Sequence, residues 1–318
     1  MSKLPTQRRV NEAKSLSTDL EGQGTFPGLT VQRRKVINAA GEIATTRPEL
    51  VAFQHAILCQ VGLPRARVAE RTFERTSGSA SILVEAGKLW DARSATWIEE
   101  ALPYGSKPRL ALVHIISEAV RTRSRSVDVG RSLYDFMKTL GIDTNGRSYA
   151  SFRQQLSALS ACRITLGFGA ETIDSKPIER FRAWTDEGGE ADGRLSPGAV
   201  VLSPTFYESL IDHAVPLDPR AIVALQKSPL ALDLYTWLSH RLHRVSRVTG
   251  ERVSWQALQQ QFGQEYDRGR DFRRRMMESL RDVQAVYPTA RVEEVAGALV
   301  LLPSPPPVRK TLVALPAG

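Results

Sequence analysis

The sequence predicts an α+β protein in which one run of elements (helix, short strand, helix, helix, strand pair) occurs twice in tandem behind a polar, basic arm. Three observations predict it. Residues 250–303 read in order as a strand at 251–253, a helix at 254–262, an arginine-rich helix at 270–285, and apolar strand segments at 285–287 and 298–302. Residues 108–184 repeat that order, and each run is fed by an amphipathic helix that ends in arginines. With 42% apolar and 24% charged residues over 318 positions, the chain can bury the cores of about two such domains.

The helix at 270–285 is the most informative element. At about 100° per residue, Phe272, Met276, Leu280 and Val283 share one stripe, while Arg270, Arg274 and Arg281 fall on the opposite side, with Arg268 and Arg273 at the margins. An arginine fork holds a phosphate or lies bidentate on guanine, where a good pair discriminates by about 1–3 kcal/mol. In an isolated helix this pattern would read as a solvated basic face. Between a preceding helix and a strand hairpin it reads as the recognition helix of a winged helix-turn-helix.

Charge agrees with a polyanionic partner. The net charge is +9, and 34 of the 43 cationic residues are arginine. Cys59 and Cys162 are the only cysteines, too few for a disulfide framework or a cysteine-based zinc site, and are expected to be buried and reduced. No apolar run approaches the about 20 residues that span a bilayer, so a cytoplasmic protein without membrane contact is expected.

In chain order, residues 1–47 are polar, with basic clusters at Arg8-Arg9 and Arg33-Arg34-Lys35 and no sustained apolar period, which predicts a flexible arm. Residues 48–61 carry Leu50, Phe53, Ile57 and Val61 at helical spacing and predict a helix. Strand-like runs at 71–76 and 80–86 flank Ser77-Gly78-Ser79 and predict a hairpin whose exposed edge is a candidate interaction surface. The feeder helix at 108–123 ends in Arg121, Arg123 and Arg125, placed either to cap the helix or to contact phosphate. A strand at 126–129 and a helix at 131–140 lead to the helix at 147–161, with Tyr149, Phe152, Leu156 and Leu159 inward. Its expected outer face is Arg147, Ser151, Gln154 and Ala158, with Arg153 beside it. Glutamine pairs bidentately with adenine and small residues allow close approach, although a water-facing helix would look the same. Runs at 163–168 and 178–184 predict wing strands, and the acidic loop at 185–197 would point away from DNA. A strand at 199–202 and helices at 204–212, 218–226 and 228–244 complete the approach to the second run.

Several stretches resemble the plasmid-encoded RepA family of replication initiators. They are Leu102-Pro103-Tyr104-Gly105-Ser106-Lys107-Pro108-Arg109-Leu110, Leu202-Ser203-Pro204-Thr205-Phe206-Tyr207, Pro216-Leu217-Asp218, Ser228-Pro229-Leu230 and Leu234-Tyr235-Thr236-Trp237-Leu238. The resemblance spans roughly residues 48–303. It implies two winged-helix domains, binding to double-stranded DNA repeats at a plasmid origin, help in opening the duplex, and recruitment of a host replication initiator and helicase. The residues alone point only to duplex DNA; the origin comes from the resemblance.

The expected domain map is an arm at 1–47, a first winged-helix domain at 48–203, a second at 204–303 and a proline-rich tail at 304–318. A monomer on direct repeats and a homodimer on an inverted repeat both fit. Catalytic chemistry is not expected: no His-X-His pair, phosphate-binding glycine loop or convergent carboxylate pair is present, and no cofactor or metal is called for. His240 and His243 lack further ligands, and Glu99-Glu100 and Glu293-Glu294 are adjacent acids that cannot converge on one atom. The alternatives are a winged-helix transcriptional repressor, a metal-dependent nicking enzyme and a basic adaptor for an acidic protein.

Overall fold

The computed structural model describes residues 30–91, 94–182 and 198–308. Most of the expected arm, the acidic loop and the end of the tail lie outside the described residues. The described chain is a mixed α+β fold of helices and small antiparallel sheets around one continuous apolar cluster that reaches from Val36 to Leu301.

The second half of the arm is helical. Helix α1 (Val31–Thr45) is capped by Thr30, whose hydroxyl accepts from the Arg33 amide at 3.2 Å. It buries Val36 completely, with Ala39 and Ile43 beside it. That stripe is narrow and the helix is otherwise polar, so its period is too weak to register in sequence. The arm expectation is therefore corrected for residues 31–45.

The helix expected at 48–61 is instead strand β1 (Ala52–His55) followed by the short helix α2 (Ala56–Gln60). Strand β1 pairs antiparallel with β11 (Ala214–Leu217), and all four of its residues are buried. A fully buried run shows no alternation, so its apolar spacing mimics a helix. This pairing also crosses the expected division at 203/204.

Strands β2 (Thr72–Ser77) and β3 (Ala80–Glu85) form the expected hairpin. Strands β4 (Lys88–Asp91) and β5 (Thr96–Glu99) add a second hairpin that the sequence reading misses. Helix α3 (Ser106–Thr122) buries Leu110, Leu112, Ile115 and Ile116 and feeds strand β6 (Ser126–Asp128), helix α4 (Leu133–Thr139) and helix α5 (Gly146–Ala161). Strands β7 (Arg163–Phe168), β8 (Glu171–Ser175), β9 (Ile178–Arg182) and β10 (Ala199–Leu202) follow. The run at 163–168 was expected in a wing. It joins the hairpin instead, in a four-stranded sheet of order β2-β3-β7-β8, while β9 and β10 complete a three-stranded sheet of order β6-β10-β9.

Helices α6 (Pro204–Asp212), α7 (Pro219–Leu225) and α8 (Pro229–Arg241) start at proline behind Ser203, Asp218 and Ser228, each of which caps the helix through its side chain. Strand β12 (Glu251–Ser254), helix α9 (Trp255–Phe262), helix α10 (Gly269–Val286) and strands β13 (Val292–Val295) and β14 (Ala298–Leu301) close the fold. Residues 285–286 end α10 rather than starting a strand; the hairpin partner of β14 is Val292–Val295. The sheet order is β12-β14-β13. Gly250 enters β12 with φ 80°, and a Cβ there would sit 2.7 Å from the Leu301 carbonyl oxygen, so glycine is required.

A buried ionic network joins the two halves. Arg109 on α3 and Arg65 both bind Asp233 on α8, through Nε at 2.7 and 2.9 Å. Arg65 and Arg75 also bind Glu265 in the turn before α10, at 2.7 and 3.1 Å. Burial pushes the Asp233 carboxyl up, but Arg109, Arg65 and Arg75 more than offset it and hold it below the usual range. Arg75, with a side chain 1% exposed, is pushed down to about 10 by burial and then by the charge of Arg65. Strand β2 thus lies against α9 and the turn that follows it, and part of its expected free surface is an internal contact.

Candidate nucleic-acid interface

Helix α10 has four differently engaged sides. Phe272, Met276, Leu280 and Val283 face the core, each 2% exposed or less. Arg273 leans toward the wing: its Nη2 lies 2.6 Å from Glu294 on β13 and its guanidinium stands 5.0 Å from the Trp255 ring. On the opposite flank, Arg275 pairs with Glu278 at 3.0 Å and Asp282 pairs with Arg33 of α1. Arg270, Arg274 and Arg281 remain on the open side and are exposed, as is Arg268 ahead of the first turn.

These open arginines are lightly held. Arg274 meets Glu278 at 3.5 Å in an exposed pair, which contributes little. Arg281 donates to the Met277 carbonyl one turn back at 3.2 Å. Among the described residues, the side chains of Arg268 and Arg270 have no hydrogen-bond or ion-pair partner. The ridge can therefore be offered to an anion without breaking a strong pair.

Helix α5 is started by Asn145, whose side chain accepts from the Ser148 amide at 2.9 Å. Phe152, Leu156 and Leu159 are buried, and Phe152 meets Phe136 of α4 edge-on at 5.6 Å. Arg147, Arg153 and Gln154 are exposed and Ser151 is half-buried; none has a side-chain partner among the described residues. Ala158, expected outward, is 1% exposed, because helix packing wraps farther round α5 than its large apolar residues suggest. Gln155, one residue past the candidate Gln154, is buried and accepts from the Tyr104 amide at 2.7 Å.

The three arginines at the end of α3 do not gather with these sets. Arg121 pairs with Glu118 on its own helix. Arg123 closes the helix in the left-handed region, φ 51°. Arg125 donates to the Leu202 carbonyl at 3.1 Å and to Glu179 at 3.2 Å, tying the start of β6 to its sheet neighbours. They stand at the far end of a 17-residue helix, about 25 Å from Lys107, whose Nζ donates to the Ser148 carbonyl in the first turn of α5 at 2.9 Å.

The residues that sequence reading misses are the buried Arg65, Arg75 and Arg109. Their charge is the same as that of a surface arginine in the sequence, and only the packed neighbours distinguish them. Cys59 and Cys162 are buried and free, and burial pushes the Cys162 thiol up to about 12. Burial, then the charges of Arg244, His243 and Arg241, push His240 down to about 3. Among the described residues no group of three or more histidines, cysteines or carboxylates could hold a metal ion, and no helix is long and apolar enough to cross a membrane.

The profile of the family described as plasmid encoded RepA protein matches residues 102–257. Two solved structures are similar in part. One is a crystal structure of selenomethionine derivatives of domains 2 and 3 of RctB, with TM-score 0.49 and 14% identity, covering 78% of this chain and 98% of that one. The other is a crystal structure of RctB domains 2–3, with TM-score 0.47 and 15% identity, covering 77% and 94%. No curated protein matches the sequence. All the stretches that carry the resemblance noted above fall inside the matched region, whereas α10 lies beyond it. Residues 102–257 are thus similar to the family described as plasmid encoded RepA protein, the family that the sequence stretches also resemble.

Proposed function

We propose that the chain initiates plasmid replication by binding specific double-stranded DNA repeats at the plasmid origin through two winged-helix modules, at 48–203 and 204–303. The observation that carries this reading is a repeated topology. Helix α3, strand β6, helices α4 and α5, and strands β9 and β10 follow the same order as α8, β12, α9, α10, β13 and β14. In both, the first strand pairs with the third and the third with the second. The β7-β8 hairpin is an insertion in the first copy.

In this reading Arg270, Arg274 and Arg281, with Arg268 at the margin, engage one major-groove segment. Arg147, Ser151, Arg153 and Gln154 address an adjacent one. Arg273 serves the wing through Glu294 and Trp255, and Arg121 and Arg125 are held within the fold. Two modules in one chain raise affinity through effective concentration. Bending or opening an AT-rich neighbour costs on the order of 1–10 kcal/mol and draws on binding free energy, so the mechanism is stoichiometric. A host initiator and helicase then load on the opened duplex.

The test is binding to labelled fragments of the protein's own replicon at about 150 mM salt with excess nonspecific DNA. Arg274→Ala and Gln154→Ala should each weaken binding to a repeat-bearing fragment by roughly 10- to 100-fold. Nonspecific binding should change little. Equal binding to all fragments, or no loss in either variant, would overturn the reading.

A further inference from the structure

Two of the nine lysines (43 cations less 34 arginines) meet the start of α5. Lys227, in the turn between α7 and α8, places Nζ 2.5 Å from Asp143, which lies just ahead of α5. Lys107, at the start of α3, reaches the first turn of α5 and also acts on Asp143 through its charge. Lys227 and Lys107 thus both reach the approach to α5, Lys227 through Asp143 and Lys107 through the Ser148 carbonyl. Burial, and then the nearby charge of Lys227, hold the Lys107 ammonium below its usual range.

The surroundings place this cluster between the two proposed reading helices. Lys227 lines a groove of about 550 Å³ with Arg275, Glu278 and Asp282 on the flank of α10 that lies away from the wing. That flank is charge-balanced by its own pairs, Arg275 with Glu278 and Arg33 with Asp282. Lys227 has Asp143 as its partner, whereas Lys107 has a carbonyl and, among the described residues, no carboxylate in an ion pair. Lysine suits a sequence-independent contact, since its compact ammonium attracts phosphate without the planar fork that reads bases.

We propose that Lys107 and Lys227 form a phosphate-binding junction that takes the DNA backbone between the segments addressed by α5 and α10. This rests on the initiator reading. A duplex engaged by both helices carries its backbone across this point, and Asp143 holds Lys227 in place until phosphate replaces it. The junction supplies affinity and register, while discrimination stays with the two helices.

The experiment measures binding of the full chain to a repeat-bearing fragment as salt is varied from about 50 to 200 mM. It compares wild type, Lys107→Ala/Lys227→Ala, Lys227→Arg and Arg274→Ala. The double variant should lose about 2 from the slope of log affinity against log salt, close to 0.9 per phosphate contact. Its affinity should fall roughly 10- to 100-fold, and its preference for specific over scrambled DNA should be unchanged. Lys227→Arg should retain the wild-type slope. Uncharged methylphosphonates between the two segments should weaken wild type and leave the double variant nearly unaffected. The exposed Lys227–Asp143 pair contributes little to folding and Lys107→Ala removes one half-buried hydrogen bond, so thermal melting of the double variant should fall only slightly. An unchanged slope in the double variant, with specificity still lost in Arg274→Ala, would overturn the junction alone and leave its lysines to an acidic protein. Indifference to Arg274→Ala together with equal binding to all fragments would overturn the initiator reading, and the junction with it.

Discussion

Arg109 holds Asp233 at two points, Nε to Oδ1 at 2.7 Å and Nη2 to Oδ2 at 3.0 Å. The pair joins α3 to α8, 124 residues apart in sequence. Arg109 also donates to the carbonyls of Leu63, Pro64 and Gly105, so its donors are satisfied in a nearly dry setting. Arg65 and Arg75 extend the contact to Glu265. The relative position of α3, α8 and the turn before α10 is therefore set by buried charge as well as by apolar packing.

Removing the shared carboxylate should be costly. Asp233→Ala leaves Arg65 and Arg109 buried without their common partner, and breaking a buried pair in this way costs about 3–5 kcal/mol. Urea unfolding should report that loss as a lower midpoint. A change below about 1 kcal/mol would mean that water reaches the site and screens it.

The same network predicts an acid limit to stability. The carboxyls of Asp233 and Glu265 are both held below their usual range: burial raises them, and the arginines lower them further than burial raises them. A depressed folded value contributes stability that is complete above the unfolded range, about pH 4, and is lost as pH falls through the folded value. The urea midpoint should hold from neutrality down to about pH 5 and then decline. The gap between wild type and Asp233→Asn should narrow over that decline; a constant gap would show that Asp233 does not carry it.

Helix α1 should behave as part of the fold. Val36 is fully buried, and Gln32 donates to the Ala224 carbonyl at 2.5 Å. Arg33 reaches Asp282 on α10, and Arg220 reaches Thr46 at 2.8 Å. Val36→Ala should cost about 2 kcal/mol in a thermal or urea melt. A substitution without effect would return residues 31–45 to the status of a loose arm.

The sequence by itself determined features that repeat over a few residues. The stripe of Phe272, Met276, Leu280 and Val283, with Arg270, Arg274 and Arg281 opposite, is legible because a helix places every third or fourth side chain on one face. The hairpin around Gly78, the strands at 126–128, 199–202 and 251–254, and the feeder helices were legible for similar local reasons.

Which distant residues meet is fixed by packing across the whole fold. Strand β1 is a strand because β11 lies beside it, far along the chain, with Ala52 opposite Leu217 and His55 opposite Ala214, and its own spacing also suited a helix. The run at 163–168 left the wing for the β2-β3 sheet by the choice of a nonlocal partner. Ala158 turned inward because of what packs on α5, and a nearly featureless arm yielded α1 once α7 and α10 offered it a surface. The charges divide in the same way. Arg109 and Arg270 are chemically identical in the chain, yet one is buried on Asp233 and the other stands open. Periodicity is a property of neighbouring residues, whereas burial and ion pairing depend on contacts between residues far apart in sequence.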